Sequence, residues 1–203
     1  MSTAIDTLWS GAVSTMAMAD FLRTFDDFRH QVFRLETFDF YDSKSERVPL
    51  ERFRAGLPQD PAWLEPWAQR VRSIKRRGAS IGRVHVVSEP LSEYVTFEMT
   101  CAYPSNIDAG EEIGVLPRST AQRLGVPELD YWLFDDERTG VMVYDGTGAL
   151  THVEVTRDPA LVRQHVRWRQ ICRAHATPLR EYLAEAGLRP QVGSEHQLEE
   201  TGE

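Results

Sequence analysis

Gly82-Arg83-Val84-His85-Val86-Val87 is a short, mainly β-branched run bounded by turn residues, and it reads as a buried strand. A strand of this kind belongs in a sheet covered by helices, so its flanks decide the fold class. Upstream, Asp60-Pro61 sets a capping residue before a proline at the first helical position. The helix opened there restarts at Pro66 and runs through Trp67 and Val71 to a basic end at Gly78. Residues 48–55 predict a short helix closed by Gly56 and Pro58. Before it, Val32-Phe33-Arg34-Leu35-Glu36-Thr37-Phe38 alternates apolar and polar side chains for much of its length, as a strand does. Asp20 is placed to cap a helix carrying Phe21, Phe25 and Phe28 on one face.

Downstream, residues 91–103 fit two patterns. Val95, Phe97, Met99 and Cys101 alternate as in a strand, whereas Leu91, Tyr94, Val95, Phe97, Glu98 and Cys101 suit helical spacing. Ser88 as a cap and Pro90 in the first turn favour the helix. Residues 112–116 form the next strand, and Ser119-Thr120-Ala121-Gln122 has capping-box spacing for a short helix stopped by Gly125 and Pro127. Residues 131–134, 140–144 and 150–155 are strands, separated by turns at Asp135-Asp136 and Asp145-Gly146-Thr147-Gly148. Asp158-Pro159 caps a last helix with a repeating face of Leu161, His165, Trp168, Cys172, His175 and Leu179, which kinks or restarts at Pro178 and ends at Gly187. The expectation is an α/β fold: one domain over residues 20–186, with a mixed β-sheet flanked by helices. The hairpin 131–144 is antiparallel, and the earlier strands, joined through helices, are parallel. Residues 1–19 read as a flexible arm and 187–203 as an acidic disordered tail.

The 203 residues are 41% hydrophobic, which supports a real core and excludes collagen-like and disordered chains. Cys101 and Cys172 imply no disulfide framework and suit a reducing cytoplasm. No apolar run reaches membrane-spanning length and no signal segment opens the chain, so a cytoplasmic, soluble protein is expected. Asp6, Glu195, Glu199, Glu200 and Glu203 carry five of the eight net negative charges, leaving the folded part only mildly acidic. Arg70, Arg72, Lys75, Arg76, Arg77 and Arg83 form a basic cluster. No aromatic residue interleaves it, so it reads as a solvated helix end rather than a nucleic-acid contact.

Familiar chemistry is missing. His165, Cys172 and His175 share a helical face, but a single helix supplies them and no second ligand pair stands out, so neither metal nor cofactor is expected. There is no Gly-x-Ser-x-Gly elbow and no phosphate loop. Arg34, Glu36, Tyr41, Arg83, Tyr94, Glu98 and Glu111 instead lie within or beside apolar segments. Such residues form an internal ion-pair cluster, line a pocket, or occupy solvent-facing strand positions.

Phe33-Arg34-Leu35-Glu36, Tyr41 with Glu46, Pro90-Leu91-Ser92-Glu93-Tyr94, Ala109-Gly110-Glu111 and Tyr131-Trp132-Leu133-Phe134-Asp135-Asp136 resemble an uncharacterised actinomycete protein family across residues 20–185. Its members are commonly encoded beside helix-turn-helix regulators and small partner proteins, so the resemblance implies a cytoplasmic accessory of a regulatory system with no established activity. Residues 67–170 also resemble one half of a phospholipase D-like fold. Active members of that family carry His-x-Lys, four residues and then Asp. Counting back from Asp135 puts Glu128 at the His and Asp130 at the Lys, and only Lys44 and Lys75 are lysine anywhere in the chain. A carboxylate cannot form a phosphohistidine, and two acids repel a phosphodiester, so the resemblance implies a catalytically degenerate copy.

Together these readings predict a non-catalytic regulatory protein. It would bind a partner protein (a helix-turn-helix regulator or a small associated protein) or a small ligand through Arg34, Glu36, Tyr41, Arg83, Tyr94, Glu98, Glu111, Trp132 and Asp135. They argue against direct nucleic-acid binding and are compatible with a homo-oligomer. The rival expectation is an enzyme or toxin-like effector using Glu36, Tyr41, Arg83, Tyr94 or Glu98 as acid, base and anion clamp.

Overall fold

The computed structural model describes residues 13–191. β1 (Val13–Met16) precedes two single-turn helices, α1 (Met18–Phe21) and α2 (Thr24–Asp27), and then β2 (Gln31–Glu36). α3 (Arg47–Arg54) follows, and a 3-10 turn at Pro61–Leu64 enters α4 (Glu65–Arg76), which leads to β3 (Ser80–Val87). α5 (Glu93–Phe97) passes through a π-helical segment, Glu98–Ala102, into α6 (Tyr103–Ala109). β4 (Glu112–Pro117), α7 (Arg118–Arg123), β5 (Tyr131–Phe134), β6 (Arg138–Tyr144) and β7 (Leu150–Thr156) come next. α8 (Pro159–His175), the two-residue β8 (Thr177–Pro178) and α9 (Leu179–Glu185) complete the described fold.

The strands make one mixed sheet in the order β1-β7-β6-β5-β2-β3-β4-β8. β2–β3 and β3–β4 are parallel and joined through helices, while β5–β6 and β6–β7 are antiparallel hairpins. Two of the expected caps form: Asp60 accepts from Ala62 N, and Asp158 accepts from both Ala160 N and Leu161 N. The capping box at Ser119 does not, because α7 already begins at Arg118 with no side-chain cap. No helix among the described residues is long and apolar enough to cross a membrane.

Several expectations change. Residues 13–16 of the expected arm pair with β7, so the sheet begins before residue 20. Residues 1–12 of that arm, and 192–203 of the expected tail, lie outside the described residues. The Phe21–Phe25–Phe28 helix is two separate turns and starts after Ala17 rather than Asp20. All three rings still enter one core, and the Phe21 ring packs directly on the Gly140 backbone, where a Cβ would overlap it. Residues 91–103 are helical only from Glu93, later than expected: Ser92 is the cap, its Oγ accepting from Val95 N, while Pro90 lies before the first turn and Ser88 donates to Asp39 instead. His175 is exposed at the end of α8, whose buried face runs Val162, His165, Trp168, Arg169 and Cys172.

The basic cluster is more than a solvated helix end. Arg70 donates to Leu22 O, and Arg77 donates to Phe25 O and Asp26 O. The Arg70 and Arg77 guanidinium groups lie over the Phe25 and Phe28 rings respectively, so α4 and its C-terminal cap clasp residues 22–28. Arg83 takes no part, since it is buried in β3.

The sheet has two cores. On one face Phe33, Leu35, Val84, Val86 and Leu133 pack beneath Val162, Trp168 and Cys172 of α8. On the other, Val32, Ile81, Trp132 and Phe134 meet α1, α2 and α4 at one end. Val87 and Val115 meet the π-helical segment and α6 at the other end. Between those two clusters lies a buried band of charge.

Candidate functional site

The parallel register of β2 and β3 sets Arg34 beside Arg83 and Glu36 beside His85, all on the face covered by α4 to α6. Arg83 donates from Nε to Glu111 Oε1 at 2.6 Å and from Nη1 to Glu36 Oε2 at 2.9 Å. Arg34 Nε stands 2.8 Å from the other Glu36 oxygen, and its guanidinium lies 5.1 Å from the centroid of Trp132, its neighbour on β5. Tyr103 Oη donates to Glu36 Oε2 at 3.0 Å, and Trp67 Nε1 donates to Glu111 Oε2 at 2.9 Å. His85 spans Phe38 O and Tyr103 Oη, each at 2.9 Å.

Asp130 closes the band on the β5 side. Its carboxylate accepts from Thr37 N at 2.7 Å, Thr37 Oγ1 at 2.9 Å and Tyr41 Oη at 2.6 Å, and Arg34 Nη2 is 3.7 Å away. Tyr94 donates to Glu46 in a very short contact. Glu98, in the π-helical segment, is 3.8 Å from His85 Nδ1, and its Oε2 has no hydrogen-bond partner.

Burial disfavours every charge here, and the neighbours decide which survive. Desolvation would raise Glu36, but the Arg34 and Arg83 guanidinium groups hold it at about 2. Both arginines stay firmly cationic, because Glu36 and Glu111 outweigh their burial. Desolvation pushes Glu98 well above the ordinary carboxylate range, and Glu36 and Glu46 add repulsion. Burial raises Glu46 as well, and raises Asp130 despite Arg34. The band therefore neutralises itself: each guanidinium already faces a carboxylate and offers little to an external anion.

Two cavities approach this band. One, of about 500 Å³, is lined by Phe38, Asp39, Phe40, Tyr144 and the turn 145–148. Tyr144 Oη forms its link inward, lying 3.4 Å from both Arg34 Nη2 and Asp130 Oδ2. The second, of about 440 Å³, curls round the start of β4 past Gly82, Gly114, Arg173 and Arg180 to reach Arg83 and Glu111.

Of the residues singled out from the sequence, Arg34, Glu36, Tyr41, Arg83, Glu111 and Trp132 converge in the band. Tyr94 and Glu98 form an adjoining layer against Tyr41 and His85. Asp135 does not join them. It sits in the β5–β6 turn, where its carboxylate accepts from the backbone of Arg29, His30 and Gln31 and so ties the entry to β2. Thr37, His85, Tyr103, Trp67 and Tyr144 belong to the band and were not singled out. His85 was visible, like Arg83, as a polar residue within the apolar β3 run, whereas Trp67 and Tyr103 arrive from helices distant in sequence. His165 and His175 each turn Nδ1 to the carbonyl four residues back, Leu161 O and Ile171 O. Among the described residues no group of three or more His, Cys, Asp or Glu is arranged to hold a metal ion.

No curated protein matches the chain. Among solved structures, the phospholipase D family member Nuc from Salmonella typhimurium superposes with a TM-score of 0.50 at 9% identity, covering 82% of this chain and 97% of that one. TrmBL2, an archaeal chromatin protein described with a novel mode of DNA binding, superposes at 0.45 and 9% identity over 85% of this chain and 57% of its own. The likeness to Nuc identifies the fold as phospholipase D-like. Of the positions counted from Asp135, Glu128 is exposed beside Arg118 and Asp130 is sealed in the band. The family described as Domain of unknown function (DUF6879) matches residues 19–184, and the chain belongs to it.

Proposed function

We propose that this chain is a non-catalytic regulatory or accessory protein. It binds a partner protein, a helix-turn-helix regulator or a small protein associated with one, at the surface over its closed ion-pair band. The observation that carries this reading is the state of Asp130. The position counted as the phosphate-binding lysine is an acid, 1% exposed, with Thr37 and Tyr41 occupying its oxygens. A phosphodiesterase needs reachable cations at such a place, and here both nearby arginines are matched by carboxylates. Beside the band, Phe38 and Phe40 stand 42% and 46% exposed, as expected of residues that a partner covers.

The test is calorimetry of the purified chain against a helix-turn-helix regulator from the same genome. A complex at micromolar protein supports the reading. No complex, together with unchanged target expression after gene deletion, overturns it. Turnover of bis(p-nitrophenyl) phosphate above the buffer rate would remove the non-catalytic part.

One observation favours an enzyme or toxin-like effector instead. Within a single cluster Glu36 is held at about 2 while Glu98 and Glu46 are pushed up, a separation that acid–base sites use. Growth arrest on expression of the chain alone, relieved by Glu98→Ala, would favour that reading.

A further inference from the structure

The cavity at Phe38 and Phe40 has a built geometry and an unmatched charge. One wall is the loop after β2, carrying Phe38, Asp39 and Phe40, and the other is the β6–β7 turn. Asp42 N donates to Gly148 O at 2.9 Å and pins the walls together. Gly148 has φ +84°, and a Cβ there would lie 3.3 Å from Phe40 Cδ1, so glycine permits this close approach. Phe38 packs edge-on against Tyr144 with ring centroids 5.4 Å apart, and Phe40 packs against Tyr94 at 5.2 Å. Each ring is thus fixed on one side while remaining open to solvent on the other.

Two carboxylates line the cavity, and they differ. Asp39 accepts from Ser88 N, Ser88 Oγ and Arg118 Nη2, so its charge is answered. Asp145 Oδ1 accepts from Thr147 N, Thr147 Oγ1 and Ala149 N, all neutral donors that orient the group. Among the described residues Asp145 Oδ2 has no hydrogen-bond partner, and no cation forms an ion pair with Asp145. Of the cations nearby, Arg34 is paired with Glu36 and Asp130 and Arg47 with Asp42, while Lys44, exposed and close to Asp42, forms no ion pair with Asp145. An anion placed here would meet Asp145, and an apolar group would strip water from it without compensation. A planar cation suits both features, since a guanidinium stacks on aromatic faces and pairs with a carboxylate.

We propose that this cavity seats an arginine side chain from a basic segment of the partner protein, with Phe38, Phe40 and Tyr144 as the aromatic walls and Asp145 as the counter-charge. This rests on the partner-binding reading above and names what the partner must present.

The probe is the tripeptide acetyl-Gly-Arg-Gly-amide, titrated into the full chain while backbone amide NMR signals are followed. Its citrulline counterpart, equal in shape but uncharged, is the control. The arginine peptide is expected to shift the amides of residues 38–40 and 144–148 at millimolar concentration, and the citrulline peptide to leave them in place. Asp145→Asn keeps the accepting Oδ1, and with it the turn, and should weaken the arginine peptide about threefold. Phe40→Ala should do likewise. Equal shifts from both peptides, no shift at these amides, or undiminished binding by Asp145→Asn overturns the proposal. A regulator complex that neither variant weakens also overturns it, while leaving the partner reading intact. Absence of any regulator complex, together with unchanged target expression after gene deletion, overturns the partner reading and with it the partner as the source of the arginine, even where the arginine tripeptide is still selected over citrulline at these amides.

Discussion

β2 and β3 present two faces made from alternate residues of the same short runs, and both faces are buried. Phe33 and Leu35 point into an apolar core under α8, while Arg34 and Glu36 point into a charged band under α4 to α6. The apolar face is held by area and shape, which tolerate volume-conserving change. The charged face holds only while every ion keeps its partner, because removing one leaves another stranded in low dielectric. The difference implies that the second face gains little net stability from its charges but defines one arrangement of β2, β3, β5 and the helices above them.

The largest effect should come from removing the central cation. Arg83→Met keeps much of the volume but strands Glu111 and half of Glu36, and should cost about 3–5 kcal/mol in urea unfolding. Adding Glu111→Gln to that variant should recover part of the loss, and strictly additive losses would break the description of a coupled network. On the apolar face, Leu35→Ala should cost about 3 kcal/mol through the cavity it leaves, with no dependence on pH. If it proves costlier than Arg83→Met, the contrast between the faces fails. Tyr41→Phe deletes one hydrogen bond to Asp130 and should cost about 1–2 kcal/mol by the same measurement.

The smallest effect is set by pH. Glu36 is depressed in the folded state, so the stability it lends is complete above the ordinary Glu value and is lost as pH falls towards about 2. Glu98 is raised, so its contribution has the opposite sense: stability is lost as pH rises from the ordinary Glu value upward. Glu98→Gln should therefore match the parent protein in mild acid and exceed it by about 1 kcal/mol near neutral pH. Parallel unfolding curves at the two pH values check this, and a constant offset would place the Glu98 carboxyl in an ordinary solvated setting.

Much of the fold was legible because its signals are local. The β-branched run at β3, the Asp60-Pro61 and Asp158-Pro159 caps, and the two hairpins after residue 130 all depend on residues within a few positions of one another. The choice of helix for residues 91–103 was legible too, but its start was not: Ser88, expected as the cap, donates to Asp39 forty-nine positions upstream, and Ser92 caps a helix that begins at Glu93. The candidate band was half legible. Charges inside apolar segments marked Arg34, Glu36, Arg83 and Glu98, but nothing nearby in sequence joins Arg83 to Glu111, or Tyr41 to Asp130 eighty-nine residues away. Asp135 was misplaced for the same reason, since its partners are backbone amides about a hundred residues earlier.

By itself, then, the sequence determined an α/β chain with parallel strands in its first half, hairpins in its second, and no lysine where a phospholipase D-like site would need one. Alternation, capping and turn chemistry are short-range properties, written within a few residues. Whether the polar side of β2 met water or protein was decided only by the tertiary structure, because that depends on which helices cover it. The register of β2 against β3 and the arrival of Asp130 and Glu111 then set which buried charges are matched, leaving Asp145 as the carboxylate at the adjoining cavity that no cation answers among the described residues.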